Sequence, residues 1–568
     1  MRLFRRRPAR ALAAAALSFL AAAGTAPGAG VVPAAGFVQA AGVAPGSRQP
    51  VVETERGAVR GRAHGAYDTF EGIPYAAPPT GPLRWQLPEP APAWPGVRDA
   101  GAPGSRCVQL PPLGPGGPRG SEDCLFLNVT APTARGRGAP RPVMVWFHGG
   151  GFQNGAGDPY RPDRLAVRGD AVVVTVNYRL GIFGLFGHPE LGGAPDFALA
   201  DQQAALRWVR ANAHRFGADP RNVTVFGESA GALSVCAHLV SPASAGLFHR
   251  AVVQSGSCST TMPPRSLLPT LGTYEPFTPE RSTVEAGTAA ALRLGCGGPA
   301  DGASGAGGVG AGGVGAVDCL RRLDAGALAT PELMRRFSLV SYGNAALPTE
   351  PRRALREGRF HRVPVVQGTT RDEMRVFLGQ TLAAFPVPDQ AAYRARLERS
   401  FDAGTARAVE ARYPAAAYPN PAVALATLLS DASFTCPSLR DTEALARHVP
   451  TYGYLFADGD APNATGLAEV PGLPYAASHG FELPYLFTSV PLAAPQRELA
   501  DRMVDYWTAF ARTGIPAAEG APAWPRYRSP ASVLTLAPGS GAIRPADART
   551  AHHCALWDAR WPAPAGTR

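Results

Sequence analysis

Continuous apolar runs set the frame of this chain. Residues 142–147 and 171–176 (Pro-Val-Met-Val-Trp-Phe and Ala-Val-Val-Val-Thr-Val) show no alternation of apolar and polar positions. A strand with one wet face alternates, so such runs predict strands covered on both faces, as in a mostly parallel sheet. Residues 223–226, 250–254 and 363–368 predict further strands. Residues 201–216 gather their apolar positions on one stripe at helical spacing, and 390–449 read as mainly helical. Residues 269–347 show weak periodicity and read as an insertion. Short β-branched runs alternating with longer helical stretches predict an α/β fold. No linker separates two globular units, so 47–568 read as one domain with insertions.

The first 46 residues differ from the rest. Arg2, Arg5, Arg6, Arg7 and Arg10 precede an uncharged run of small apolar residues, 11–24, that is short for a bilayer span. This predicts a signal peptide followed by a disordered Ala/Gly/Pro leader, and hence a secreted protein. Arg6-Arg7 is a twin arginine whose surroundings do not decide the export route. With no cysteine among the first hundred residues, no stable membrane anchor is expected at the processed end. The formal charge of +11 falls to about +6 without the five leading arginines, too diffuse for a nucleic-acid partner. All 55 basic residues are arginine, a genome-level compositional bias rather than a functional signal.

Eight cysteines in an exported chain invite pairing. Local spacing favours Cys107 with Cys124, across a Pro/Gly-rich loop, and Cys296 with Cys319, around the Gly/Ala-rich segment 297–317. In the chain-entropy picture the second closure contributes about 3 kcal/mol. The His, Cys and acidic residues show no zinc-ligand spacing, so neither metal nor cofactor is expected.

Candidate chemistry centres on Gly227-Glu228-Ser229-Ala230-Gly231, between a predicted strand and a stretch with helical spacing. Glycines two before and two after let strand and helix approach while the serine hydroxyl is pushed outward. In so glycine-rich a chain the pentapeptide alone says little; its flanks carry the weight. A serine nucleophile needs a histidine base and a carboxylate to orient it, and at such a corner the chain order is serine, acid, histidine. Asp372 and Glu373 follow the 363–368 strand, and the pattern does not choose between them. Among later histidines, His238 belongs to the helix after the serine, His361 precedes a strand, and His552 and His553 sit in the tail. His479 stands in a loop, a better platform for catalysis. Gly149-Gly150-Gly151 after the 142–147 strand, with the N–H of Ala230, would supply oxyanion donors.

From about residue 50 onward the chain resembles the type-B carboxylesterases, the carboxylesterase and cholinesterase group of α/β-hydrolases, as a bacterial secreted member. The resemblance is carried by Phe70-Glu71-Gly72-Ile73-Pro74-Tyr75, Ser121-Glu122-Asp123-Cys124-Leu125-Phe126-Leu127-Asn128, the triple glycine, and Val176-Asn177-Tyr178-Arg179-Leu180-Gly181. Gly227 to Gly231, Thr370-Arg371-Asp372-Glu373, His479-Gly480-Phe481-Glu482-Leu483-Pro484 and Tyr506-Trp507 continue it in the same order. It implies Ser229 as nucleophile, Glu373 as acid, His479 as base, and Gly150, Gly151 and Ala230 as oxyanion donors. It also implies that Glu228, and Glu482 with Ser255, steady the histidine, that Arg84 pairs with Glu122, and that both locally favoured disulfides form. Cys436 with Cys554 follows by analogy, leaving Cys236 and Cys258 over, with Cys236 read as a free buried thiol on its helix. The implied substrate is a small or medium ester cleaved through an acyl-enzyme. Alternatives on the same fold are a lipase, a polymer or toxin esterase, or a non-catalytic binding module. Met374 replaces the usual glycine after the acid, and Pro195-Asp196-Phe197 stands where the family has Gly-Asn. The Cys107–Cys124 loop has no tryptophan, and Val376 stands where cholinesterases offer an aromatic, which removes the cation-π partner a choline ester needs.

Overall fold

The computed structural model describes residues 49–111, 116–133, 140–297 and 315–560. The expected signal peptide and leader, and most of 297–317, lie outside them. Eleven strands form one sheet: β1 Arg62–Ala63, β2 Tyr67–Pro74, β3 Phe126–Pro132, β4 Arg141–Phe147, β5 Val172–Val176, β6 Ala218–Glu228, β7 Arg250–Gln254, β8 Val365–Thr370, β9 Thr451–Phe456, β10 Val533–Leu536 and β11 Arg544–Ala546. Their order is β11-β10-β9-β8-β7-β6-β4-β5-β3-β2-β1. From β10 across to β5 every neighbour is parallel, whereas β11 at one edge and β3, β2 and β1 at the other run antiparallel.

The unbroken apolar runs have a direct cause. Val143, Val145 and Phe147 of β4 join a core beneath the helices Phe197–Asn212 and Ala230–Val240, while Met144 and Trp146 join a second core with the helix Ala494–Thr513 on the other face. Both sets are buried, so residues 143–147 of β4 have no solvent-facing position for a polar side chain. The helix expected over 201–216 starts earlier, after Asp196 in a left-handed conformation (φ 53°), and its last turn tightens before Gly217 (φ 81°). The insertion holds more order than its pattern suggests: the helix Glu280–Arg293, three helices of four to six residues, and the parallel strands Phe277–Pro279 and Val340–Tyr342. Helices that short fall below the window in which periodicity speaks. Asp196 ties the insertion to the main body by accepting from the Ser341 N–H (2.9 Å) and Asn344 Nδ2 (2.8 Å). Asp and Asn are the side chains that best tolerate its positive φ, which explains the replacement at this site.

Four disulfides join Cys107 to Cys124, Cys236 to Cys258, Cys296 to Cys319 and Cys436 to Cys554, and no cysteine is left free. The expectation of a free thiol at Cys236 is therefore corrected. Its helix packs on β7, and Cys258, just past the end of β7, comes within 5.6 Å of it between Cα atoms. The separation of 22 residues lies between those of the two pairs that spacing favoured, but here the two cysteines lie on a helix and past a strand, and packing of one on the other brings them together. Arg84 forks onto Glu122 (2.7 and 2.6 Å) and donates through Nη1 to the carbonyls of Leu320, Arg321 and Leu323, closing the end of the helix Ala316–Arg321. The start of that helix is held by Glu190, which accepts from the Ala316 and Val317 N–H groups at 2.9 Å each. Residues 421–446, apolar and long enough to span a bilayer, are buried within the fold.

Candidate active site

The C-terminal ends of β4, β6, β7 and β8 converge on one cavity of about 560 Å³, as the geometry of an open parallel sheet requires. At the end of β6, Ser229 adopts φ 56° and ψ −122° before the helix Ala230–Val240 begins. Its N–H donates to the Gln254 carbonyl (3.0 Å) and its own carbonyl accepts from the Leu233 N–H (3.0 Å), so strand and helix both hold the strained corner. The glycines are sterically obligatory: a Cβ at 227 would lie 2.5 Å from the Gly231 carbonyl carbon, and one at 231 only 1.9 Å from the Phe147 oxygen.

After β4, the glycine loop is pinned by His148. Burial lowers this imidazole's pKa to about 4, its Nδ1–H donates to the Gly149 carbonyl (2.8 Å), and the ring stacks on Tyr178 at 4.3 Å. Tyr178 in turn donates its hydroxyl to the His148 carbonyl at 2.6 Å. Gly150 and Gly151 have φ of 102° and 62°, and among the described residues neither N–H donates to a protein group. Ala230 opens a helix, where first-turn N–H groups have no intrahelical acceptor. Gly150, Gly151 and Ser229 all border the cavity.

Beyond β8 the two adjacent acids part. Glu373 is fully buried; its Oε2 accepts from His479 Nδ1 at 2.5 Å and its Oε1 from the Thr370 N–H at 2.9 Å. Asp372 turns the other way, to Arg371 (2.7 Å) and Arg375 (2.9 Å). With a carboxylate on Nδ1–H, the second ring nitrogen, Nε2, is the one available to take a proton. It lies 3.0 Å from Glu228 Oε1, without hydrogen-bond alignment. Phe377 and Phe434 flank the imidazole, with ring centroids 4.9 and 5.1 Å away. Met374 sits in a helix without positive φ and donates its N–H to Ser430 Oγ (2.9 Å), so no glycine is needed there. Val376 packs against Tyr475 and Phe481 away from the cavity, which its neighbour Phe377 lines instead.

Three carboxylates surround His479. Burial disfavours the imidazolium, but Glu228, then Glu373 and Glu482, outweigh it and raise the pKa to about 9. Burial lifts Glu228 to about 7 and Glu482, with help from its two acidic neighbours, to about 8. Burial and its acidic neighbours thus push Glu482 toward its protonated form. Its expected partnership with Ser255 takes a different form. Ser255 (φ 51°) borders the cavity with its Oγ unbonded, while Gln254 Nε2 donates to Glu482 Oε1 (3.3 Å) and Gln254 Oε1 accepts from Trp507 Nε1 (3.1 Å). Gln254 and Phe434 were not foreseen; a glutamine ending a buried apolar strand was the one available signal.

A parallel sheet of this order, turning sharply into a helix at a serine, defines an α/β-hydrolase. The chain belongs to the Carboxylesterase family, whose profile matches residues 48–557. It is 34% identical over 496 residues to the para-nitrobenzyl esterase of Bacillus subtilis (strain 168), covering 84% of this chain and 92% of that one. It is 33% identical to a cocaine esterase of Oryctolagus cuniculus (85% and 91% covered) and 33% identical to a fumonisin B1 esterase of Sphingopyxis macrogoltabida (86% of each). A solved PNB esterase superposes with a TM-score of 0.66 at 30% identity, over 86% of this chain and 96% of the other. The protein is a carboxylic ester hydrolase.

Proposed function

We propose that the protein is a bacterial serine esterase, exported and disulfide-bonded, that cleaves small or medium neutral esters through an acyl-enzyme. Ser229 Oγ attacks the ester carbonyl as His479 Nε2 takes its proton. The N–H groups of Gly150, Gly151 and Ala230 receive the oxyanion, and the proton on Nε2 passes to the departing alkoxide. Water, deprotonated by the same nitrogen, then releases the acid and restores Ser229. Glu373 holds the tautomer and stabilises the imidazolium; Glu228 and Glu482 are positioning residues around it. The carrying observation is the 2.5 Å contact of His479 with Glu373 beside a cavity that Ser229 also borders. Export is supported by the arginine-led apolar N-terminus and the four disulfides.

Neutral substrates are favoured by the lining of the cavity. Although the chain has 55 arginines, among the described residues none borders it, and Glu228 is the one acidic side chain there. A further carboxylate on the substrate would meet no arginine in that lining and would lie near Glu228. Leu271, Tyr274 and Ser338 bring the insertion into the wall, where it bears on substrate size. The test is Ser229→Ala against p-nitrophenyl butyrate: the variant should remain folded and lose hydrolysis, and retention of most of the activity would refute the reading. An ester panel of matched size should then show neutral acyl groups preferred over those carrying an extra carboxylate.

A further inference from the structure

A second cavity, of about 580 Å³, lies behind the acid loop, and the reaction makes no use of it. It shares two walls with the catalytic cavity. In the first, Glu373 faces His479 while Asp372 and Arg371 border the second cavity. The other is the turn Asp431–Thr435, where the long helix widens to π geometry. This turn presents Asp431 to the second cavity and Phe434 to the His479 ring. Widened turns of this kind recur at functional sites.

The second cavity carries its own ordered polar cluster. His552 Nδ1 donates to Asp431 Oδ1 at 2.6 Å, Tyr413 donates its hydroxyl to Asp431 Oδ2 at 2.7 Å, and Trp557 Nε1 donates to the Tyr413 oxygen at 2.9 Å. His552 is 7% exposed and borders the cavity, and among the described residues its Nε2 has no hydrogen-bond partner. Burial disfavours its charge, but the 2.6 Å pairing with Asp431 outweighs burial and raises its pKa, which favours the imidazolium form, whose Nε2–H faces the cavity. Arg371, its side chain 40% exposed, gives Nε and Nη2 to Asp372; its Nη1 makes only a long 3.4 Å contact with the Ala457 carbonyl. Arg375 also pairs with Asp372, and burial lowers the pKa of His553, leaving it neutral. Two guanidinium groups, Arg371 and Arg375, therefore share the one carboxylate of Asp372, while His552 is paired with Asp431 across the cavity. The remaining wall includes apolar surface from Tyr418, Val423 and Leu455.

We propose that this cavity is a second ligand site, for a small organic carboxylate with a hydrocarbon tail. The carboxylate is received by His552 Nε2–H and Arg371 Nη1, and the tail rests on Tyr418, Val423 and Leu455. Charge-assisted donors on an anion, beside apolar surface for its tail, match that class. An acid of this kind is what ester hydrolysis releases, and an occupant would bear on Glu373 and Phe434 through the shared walls.

Calorimetric titration of octanoate into the full, disulfide-bonded chain tests the site directly, without requiring turnover. Two binding events are expected, of which p-nitrophenyl butyrate hydrolysis reports one as competitive inhibition. Arg371→Gln and His552→Gln should each weaken the other event roughly tenfold or more, and octanamide should not produce it. If His552→Gln fails to fold, the more exposed Arg371→Gln carries the test. A single event, or two events that neither substitution alters, overturns the proposal.

Discussion

Replacing Glu373 by Gln perturbs one oxygen atom, and the geometry sets the consequence. Glu373 accepts two hydrogen bonds, from His479 Nδ1 and the Thr370 N–H, in a position with no solvent exposure. Glutamine has one carbonyl. If that oxygen serves His479, the amide NH₂ confronts the Thr370 N–H and a buried donor goes unpaired, at about 1–3 kcal/mol. If it serves Thr370, the amide donates to Nδ1 and drives the ring proton onto Nε2, the nitrogen that must accept the Ser229 proton. Either way the carboxylate charge that stabilises the imidazolium is gone. Loss of tautomer control in a triad of this design lowers turnover about 10⁴-fold, or about 5.5 kcal/mol of barrier. Asp372→Asn alters a buried pairing with Arg371 and Arg375 that makes no contact with the His479 ring, and should cost far less than Glu373→Gln. Initial rates on p-nitrophenyl butyrate, with circular dichroism to verify folding, separate the two. Retention of more than a tenth of the activity by Glu373→Gln, or a larger loss in Asp372→Asn, would refute the assignment.

Three further outcomes are expected. Because nearby carboxylates raise the His479 pKa to about 9, the neutral base gains as pH rises, so the acid limb of kcat/KM should lie above the ordinary histidine range. Glu228→Gln removes the largest raising influence and should move that limb to lower pH; an unmoved limb would refute the electrostatic reading. Replacing Cys236 and Cys258 together by Ala opens a closure spanning 22 residues and should lower unfolding free energy by about 3 kcal/mol in denaturant titration, whereas unchanged stability would show the bond to be inert. Gly231→Ala should abolish activity and sharply lower yield, since its Cβ would strike the Phe147 oxygen; a fully active variant would contradict the tight corner.

The centre of the sheet is legible in the sequence because each central strand hides both faces, as β4 does between two cores. Its edges are not: β1 is two residues long and β11 contains Pro545; β9, paired on both sides, carries Gly453 inside its run, with Val533 and Tyr527 packed beside it. Ser229, Glu373 and His479 can be read in chain order, yet residue patterns alone leave Asp372 and Glu373 equivalent. Only the fold turns one toward His479 and the other toward two arginines. Gln254 and Phe434 are invisible for the same reason, each depending on a neighbour supplied by packing; the bond from Cys236 to Cys258 joins a helix to the end of a strand, although its separation of 22 residues lies between those of the pairs that spacing favoured.

The clamp around residues 296–319 carries an evolutionary consequence. Cys296 and Cys319 are joined, Glu190 holds the start of the following helix, and Arg84 holds its end, so the described residues on both sides of this connection are secured. Doubling the length of such a connection adds only about 0.6 kcal/mol of closure entropy. The position is therefore a natural graft point, where insertions can accumulate or a whole module be spliced in while the serine corner keeps its geometry.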